Sequence, residues 1–314
     1  MFGLRAGANK RNSNRARDLP ESGCRKGTCR MVVEKGDYGA GSLFSLAGKT
    51  VLLTGASGFL GRTMVRALLD NGATVLAFGG SERVERQAAS WNDEYGGGRV
   101  QAYRVDLYDV AAVKEALARV EREHPVVDVL VNNAHELGPR TGFNVPEGRL
   151  EDATFDGWMR NLTAGVYWAA LTTQSIGVGM RSRGNGSIVN ICTMYAVVAP
   201  SPQLYAGTTF INPPAYSASK AALLAFTRYT ASFWGPFGVR ANAILPGPFS
   251  NLEEAGDNSV APDDPFLERL KARTVLGRVG KPRELVGALL YLASEASAFT
   301  TGQSLVVDGG WTIV

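Results

Sequence analysis

The chain has 314 residues, 45% of them apolar and 20% charged, an ordinary globular composition for one large domain or two small ones. No apolar run reaches the roughly 18 to 20 residues that cross a bilayer. Three cysteines (Cys24, Cys29, Cys192) cannot build a disulfide framework, and two histidines (His124, His135) are too few for a His/Cys zinc site, so no metal is expected. The net charge of +4 is unevenly placed. Residues 1–30 hold eight basic and two acidic residues, a surplus of +6, which leaves −2 for residues 31–314. The body therefore offers no nucleic-acid surface, and its thiols suit a reducing compartment, which predicts a cytoplasmic location.

In chain order, residues 1–45 lack hydrophobic periodicity and are rich in Gly, Asn, Ser and Arg, which predicts a disordered basic N-terminal extension. A solvated tail, a nucleic-acid or anionic-lipid contact, an Arg-rich transit peptide and a true start at Met31 all fit that composition. A secretory signal does not, because its apolar stretch is missing. Cys24 and Cys29 lack two further ligands for a metal. The body opens at Leu46. Strands are expected at Val51–Thr54, Thr74–Phe78, Arg99–Tyr103, Val126–Val131, Ser187–Ile191, Val239–Ile244 and Ser304–Val307. Helical spacing falls between them at Leu60–Asp70, Glu82–Tyr95, Val110–Arg122, Phe155–Arg181, Tyr216–Trp234 and Pro282–Ser294. Strands that are apolar throughout, separated by helices, imply a parallel sheet covered on both faces. The expected fold is α/β: a single doubly wound, Rossmann-type domain over residues 46–314.

Thr54-Gly55-Ala-Ser57-Gly58-Phe59-Leu60-Gly61 joins the first strand to the first helix. Glycines at such a junction let the chain turn sharply and let backbone N–H groups reach a pyrophosphate, and the helix N-terminus adds partial positive charge. This turn predicts a dinucleotide cofactor. An acid at the end of the second strand would accept from a ribose 2′-OH and favour NAD. Here Gly79-Gly80 follows Phe78, and Ser81, Arg83 and Arg62 could meet a 2′-phosphate. NADP is favoured over NAD, with Glu82 as the NAD alternative.

Tyr216-Ser-Ala-Ser-Lys220 places a phenol and an ammonium one turn apart on one helix face. An ammonium beside a phenol favours the phenolate and suits proton transfer near neutral pH.

With the glycine turn and this pair on one chain, the sequence resembles the short-chain dehydrogenase/reductase family over residues 46–314. Further motifs match in order: Asp106-Leu107 at the adenine contact, Val131-Asn132-Asn133-Ala134 with His135 in place of the last glycine, and Asn161 in its helix. Gly186–Thr193 matches the strand leading to the catalytic serine, Pro246-Gly247 the turn beside nicotinamide, and Thr301–Gly310 the closing strand and turn. The resemblance implies that Tyr216 is the general acid/base. Lys220 holds the nicotinamide ribose and depresses the tyrosine pKa, Asn161 supports a water chain to Lys220, and Thr193 replaces the serine. The implied cofactor contacts are Gly55, Ser57, Gly58, Phe59, Leu60, Gly61, Ser81, Arg83, Asp106, Leu107, Asn133, Ala134, Tyr216, Lys220, Pro246 and Gly247.

The glycine turn has the GxxGxxG spacing of the longer, epimerase-like branch, whereas the Tyr–Lys helix and the C-terminal motif are those of the compact enzymes. His135 in a loop reads as a packing or solvent residue rather than a base. Thr193 and Tyr216 stand 23 residues apart, more than the family's usual spacing. The inserted stretch is expected to overhang the substrate, offers Tyr195 and Tyr205 as contacts, and resembles a subgroup of flagellin-modification oxidoreductases that act on unusual sugars. The expected function is alcohol–ketone interconversion on a polar, sugar-like small molecule. A 3-oxoacyl carrier-protein reductase and a non-catalytic cofactor-binding regulator are the alternatives. The loop Leu137–Leu150 and the segment Ser250–Lys271 are expected to complete the pocket. Aromatic residues on the two longest helices, from Trp158 to Trp234, exceed what one sheet face covers. With the resemblance, they imply a homotetramer.

Overall fold

Seven strands, each expected from an apolar run, form one wholly parallel sheet in the order β3-β2-β1-β4-β5-β6-β7. They are β1 (Thr50–Thr54), β2 (Thr74–Gly79), β3 (Val100–Arg104), β4 (Val129–Asn132), β5 (Gly186–Ile191), β6 (Val239–Pro246) and β7 (Ser304–Val307). The computed structural model describes residues 38–208, 211–249 and 265–314. Most of the predicted basic extension, with Cys24, Cys29 and Met31, lies outside these residues, as does most of Ser250–Lys271. The expected disorder through residue 45 needs one correction: Ala40–Leu43 forms a single exposed helical turn, α1, closed by Ser42 and Leu43 N–H groups on Gly39 O.

The sheet is doubly covered because alternate strand residues face opposite ways. Val51, Leu53, Val75, Ala77, Val129 and Val131 pack under α2 (Phe59–Asp70), α3 (Arg83–Tyr95) and α10 (Val286–Ala293) through Met64, Leu68, Trp91 and Leu289. Leu52, Leu76, Phe78, Leu130 and Ile188 face the other way. They meet α4 (Val110–Glu123), α6 (Trp168–Arg183) and α8 (Pro214–Trp234) through Val113, Leu117, Leu171, Met180 and Ala231. Local chemistry sets several helix starts. Asp109 caps α4 by accepting from Ala112 N–H at 3.0 Å, and Thr154 caps α5 (Phe155–Leu162) by accepting from Gly157 N–H at 3.0 Å.

The single helix expected over Phe155–Arg181 is α5 and α6 separated by a π turn at Thr163–Tyr167. The cause is packing on α8. A Cβ on Gly165 would stand 2.2 Å from the Ser219 hydroxyl, so the wider turn and the missing side chain let the two helices approach. The inserted stretch adds the short α7 (Pro202–Tyr205), and α9 (Pro265–Ala272) leans on it, with Arg269 donating to Ala206 O at 2.6 Å.

The strand order reverses between β1 and β4, whose neighbours β2 and β5 lie on opposite sides. In an open parallel sheet the crevice beyond the strand carboxyl ends at that point is where ligands bind.

Candidate active site

A cavity of about 720 Å³ opens at this switch point, within the usual range for ligand sites. Its wall runs from Gly79, Gly80, Asp106 and Leu107 at one end, past the glycine turn, to Thr193, Tyr216 and Lys220 at the other. The glycine turn is built for close approach. A Cβ on Gly55, where φ is +67°, would meet Ala134 Cα at 2.9 Å, and one on Gly61 would strike Gly55 O at 2.1 Å. Thr54 Oγ1 accepts from the Asn133 and Ala134 N–H groups at 3.0 and 3.1 Å. Asn133 Nδ2 returns hydrogen bonds to the carbonyls of Thr54 and Gly55. These four bonds lock the loop after β4 to the turn after β1.

Beneath the cavity lies a buried polar chain. Thr172 donates to Asn132 Oδ1 at 2.6 Å, Asn132 to Asn190 Oδ1 at 2.8 Å, and Asn190 to Thr227 Oγ1 at 2.8 Å. Thr227 ends the chain on Leu223 O at 2.8 Å. Each member is satisfied, so the floor under the catalytic loops is rigid as well as buried.

Tyr216 and Lys220 sit on α8, and Thr193 follows β5. Burial pushes the Tyr216 phenol up to about 12, with a hydrogen bond to Thr193 pulling the other way. Burial likewise pushes Lys220 down to about 8. The ammonium donates to Ile191 O at 2.9 Å rather than to the phenol. Burial disfavours the charged form of both groups, so the lowering of the tyrosine pKa by Lys220 that the resemblance implies has to act against desolvation. Asn161 is fully buried. Its Nδ2 donates to Thr141 O and Gly157 O, both at 2.8 Å, and its Oδ1 has no partner.

The cavity wall includes Gly55, Gly58, Phe59, Leu60, Asp106, Leu107, Asn133, Ala134, Thr193, Tyr216, Lys220, Pro246 and Gly247. Asn161 lies behind the wall, and Gly61 packs the turn against its helix. Ser57 stays near the ribose end, with its hydroxyl 3.3 Å from where a Gly79 Cβ would stand.

Other expected residues lie elsewhere. Ser81, just before α3, and Arg83, its first residue, lie outside the wall and are exposed to solvent. Arg62 lines a separate crevice with Arg66 and Gln87. The Glu82 carboxylate is taken up by Arg104 at 3.3 Å and Arg86 at 3.5 Å. Tyr195 and Tyr205, expected over the substrate, are packed with Leu204 and Trp311 in an apolar cluster behind Tyr216, their hydroxyls 3.4 Å apart. A tyrosine-rich loop reads as substrate-facing by composition, but a tryptophan from the chain's far end covers it.

Sequence reasoning missed three features of the wall. Glu136 accepts from Arg160 at 2.8 Å, pairs with Arg140 at 2.8 Å, and takes the Tyr108 hydroxyl. The buried Cys192 thiol is pushed up to about 12 by desolvation and acts as an inert small group. His135 lies in the wall with its ring against Tyr216. The sequence reading of His135 as a packing residue fits this contact, but its place directly after the Asn132–Ala134 motif was the only hint that the packing would be on Tyr216. Among the described residues no cluster of His, Cys, Asp and Glu could hold a metal, and no helix is long and apolar enough to cross a membrane.

A family model described as enoyl-(acyl carrier protein) reductase matches residues 55–312. The chain is 33% identical over 272 residues to sorbose reductase of Schizosaccharomyces pombe, covering 86% of this chain and 98% of that one. It is 34% identical over 272 residues to gluconate 5-dehydrogenase of Gluconobacter oxydans, covering 86% and 97%. A solved gluconate 5-dehydrogenase from Burkholderia cenocepacia, in complex with NADP and tartrate, superposes with a TM-score of 0.74 at 30% identity. The match covers 88% of this chain and all of that one. The chain belongs to the short-chain dehydrogenase/reductase family.

Proposed function

We propose that the protein is an NAD(P)-dependent oxidoreductase that interconverts an alcohol and a ketone on a polyhydroxylated, sugar-like small molecule. The observation that carries the reading is the convergence of Tyr216, Lys220 and Thr193 on the same cavity as the glycine turn. The turn fits a dinucleotide because its glycines leave the backbone bare where a side chain would fill the cradle, and α2 points its N-terminus there. Gly55, Gly58, Phe59 and Leu60 would hold the pyrophosphate, Asp106 and Leu107 the adenosine end, and Lys220, Pro246 and Gly247 the nicotinamide end. The bound cofactor supplies the hydride acceptor or donor.

The chain's own residues move the proton. Tyr216 takes the proton of the substrate hydroxyl during oxidation as a phenolate, becoming a phenol, and gives the phenol proton to the carbonyl oxygen during reduction, becoming a phenolate. Thr193 donates to the same oxygen and fixes its position; its hydroxyl can serve where the family has serine. Lys220 places a titratable amine beside the pair, and the buried surroundings keep water from competing. The sugar reductase and dehydrogenase relatives support a polar substrate. The exposed aromatic groups on α5 and α8 support self-association, which the family resemblance extends to a homotetramer, and the cytoplasmic location rests on the free thiols.

The test is cofactor-coupled absorbance over a panel of ketoses, polyols, aldonates and 3-oxoacyl thioesters. Turnover on the sugar acids or polyols is expected, and turnover confined to the thioesters favours the carrier-protein reductase. Tyr216→Phe is expected to lower turnover by at least about 10²-fold with cofactor affinity retained. Near-normal turnover would sink the assignment of Tyr216.

A further inference from the structure

His135 follows Asn133-Ala134 where the family pattern has glycine. Its ring meets Tyr216 edge to face, 5.0 Å between centroids, and Phe143 meets the same phenol at 5.1 Å. Its Cε1 lies 3.4 Å from where a Gly165 Cβ would stand, so the π turn leaves just enough room for the imidazole. Both ring nitrogens and Asn161 Oδ1 are buried and none makes a hydrogen bond of good geometry, although the Ala164 backbone and the Asn161 side chain both stand close enough to act on the ring. That oxygen is the free end of its amide because Nδ2 is already committed to Thr141 and Gly157. Asn161 is near enough to pull on the His135 charge, and an unmet donor beside an unmet acceptor in a buried site is costly to leave open.

Building on the oxidoreductase reading above, we propose that His135 is a positioning residue. One ring N–H holds Asn161 Oδ1, while the ring packs edge to face on Tyr216 and fills the cavity wall beside the Tyr216–Lys220 pair against water. Burial, reinforced by the Lys220 charge, holds the imidazole well below the ordinary histidine range, against weaker pulls from Ala164 and Asn161. The ring is therefore neutral, with one N–H to give. Tyr216 and Lys220 of α8 are the titratable groups that face it. The Cys192 thiol lies beyond Lys220, and Tyr195 and Tyr205 lie beyond Tyr216. The π turn and α5 present only the Ala164 backbone and Asn161. Glu136, next in the chain, is held by Arg140, Arg160 and Tyr108.

Glycine at this position would open a ring-sized gap to water. Rehydration then raises Lys220 from about 8 toward 10.5, because water favours the ammonium. The hydrogen bond and the seal are therefore separable. His135→Phe keeps the ring and removes the N–H. It is expected to lower kcat at least about tenfold, in line with the cost of misplaced catalytic groups, with KM and cofactor Kd within about twofold. His135→Gln, which can donate to Asn161, is expected to recover most of that loss. His135→Gly is expected to move the basic limb of the kcat–pH profile upward by at least about one unit, whereas His135→Phe leaves it in place.

Wild-type kcat in His135→Phe, or an unmoved limb in a folded His135→Gly, overturns the proposal. A readout free of turnover separates this inference from the proposed reaction. In ¹⁵N-edited spectra of the intact protein, which has only two histidines, one ring N–H of His135 is expected to exchange slowly with solvent. Exchange as fast as that of His124 overturns the role of His135 even if the reaction assignment stands. Slow exchange sustains it even if no substrate on the panel turns over.

Discussion

At the residue scale, desolvation controls the site. Burial pushes Lys220 down to about 8 and the Tyr216 phenol up to about 12. Alcohol oxidation requires the site to accept a proton, so kcat/KM for oxidation is expected to rise with pH through about 8, while reduction falls over the same range. Lys220→Met removes that limb; a limb that persists near 8 assigns it to another group. The linkage to stability has a definite sign. The folded value of Lys220 lies below its ordinary 10.5, so the cost of burying the ammonium is full below pH 8 and fades between 8 and 10.5. Tyr216 acts oppositely, lowering stability as pH rises from 10 to 12. Cofactor choice also turns on single residues. Gly79→Asp, the obvious test from sequence, is compromised because its Cβ would stand 2.8 Å from Val84 Cβ. Gly80 lines the cavity, and a Cβ there meets only Val105 O at 3.8 Å. Gly80→Arg is therefore expected to raise the NADP:NAD ratio of kcat/KM at least about tenfold, the yield of one charge-assisted bond to a 2′-phosphate. An unchanged ratio places the ribose 2′ position away from Gly80.

At the element scale, all seven strands were legible: the five inner ones are almost wholly buried and apolar for most of their length, and the edge strands β3 and β7 kept enough apolar residues to be read despite their more exposed positions. Strand ends were less legible. The fourth strand starts at Val129 rather than Val126 because Val126 is exposed and Asp128 is turned to Lys49 and to Thr50 N–H. The π turn was invisible, since Thr-Ala-Gly-Val-Tyr has no composition that separates it from α-helix and its cause, Ser219 against Gly165, is tertiary. The catalytic pair was legible because both members share one helix, whereas the place of His135 depends on three elements meeting. The polar chain across β4, β5 and α8 was equally hidden, as Asn132, Asn190 and Thr227 are far apart in sequence. Asn190→Leu fills similar space but strips Asn132 of its best acceptor and Thr227 of its donor. The expected loss is about 1–3 kcal/mol, read from urea unfolding monitored by fluorescence. A loss below about 0.5 kcal/mol means that the chain is not a structural unit.

At the scale of the whole molecule, the two faces of the sheet are covered, yet two helices keep large apolar groups in solvent. On α5, Phe155 is 80% exposed; on α8, Phe233 is 59% exposed and stacks on Tyr229 with ring centroids 4.3 Å apart. Trp168, expected among the exposed aromatics, is instead buried, with its ring edge to face with Tyr108. The exposed aromatics of these helices and the π turn are therefore fewer than the sequence suggested, namely Phe155, Tyr167, Tyr229 and Phe233, and Phe237 and Phe299 are exposed outside them. The stacked, exposed Tyr229–Phe233 pair on α8 is an apolar patch of the kind that marks a contact surface. If α5 and α8 pair with their own copies about a two-fold axis, each substitution enters the interface twice. Phe233→Glu then buries two like charges near the axis. It is expected to reduce the mass measured by light scattering at micromolar concentration to a smaller assembly. Because these residues lie outside the cavity wall, cofactor binding by the dissociated form is expected to persist. A wild-type chain that is monomeric under the same conditions removes the tetramer, and an oligomer indifferent to Phe233→Glu moves the interface to another face.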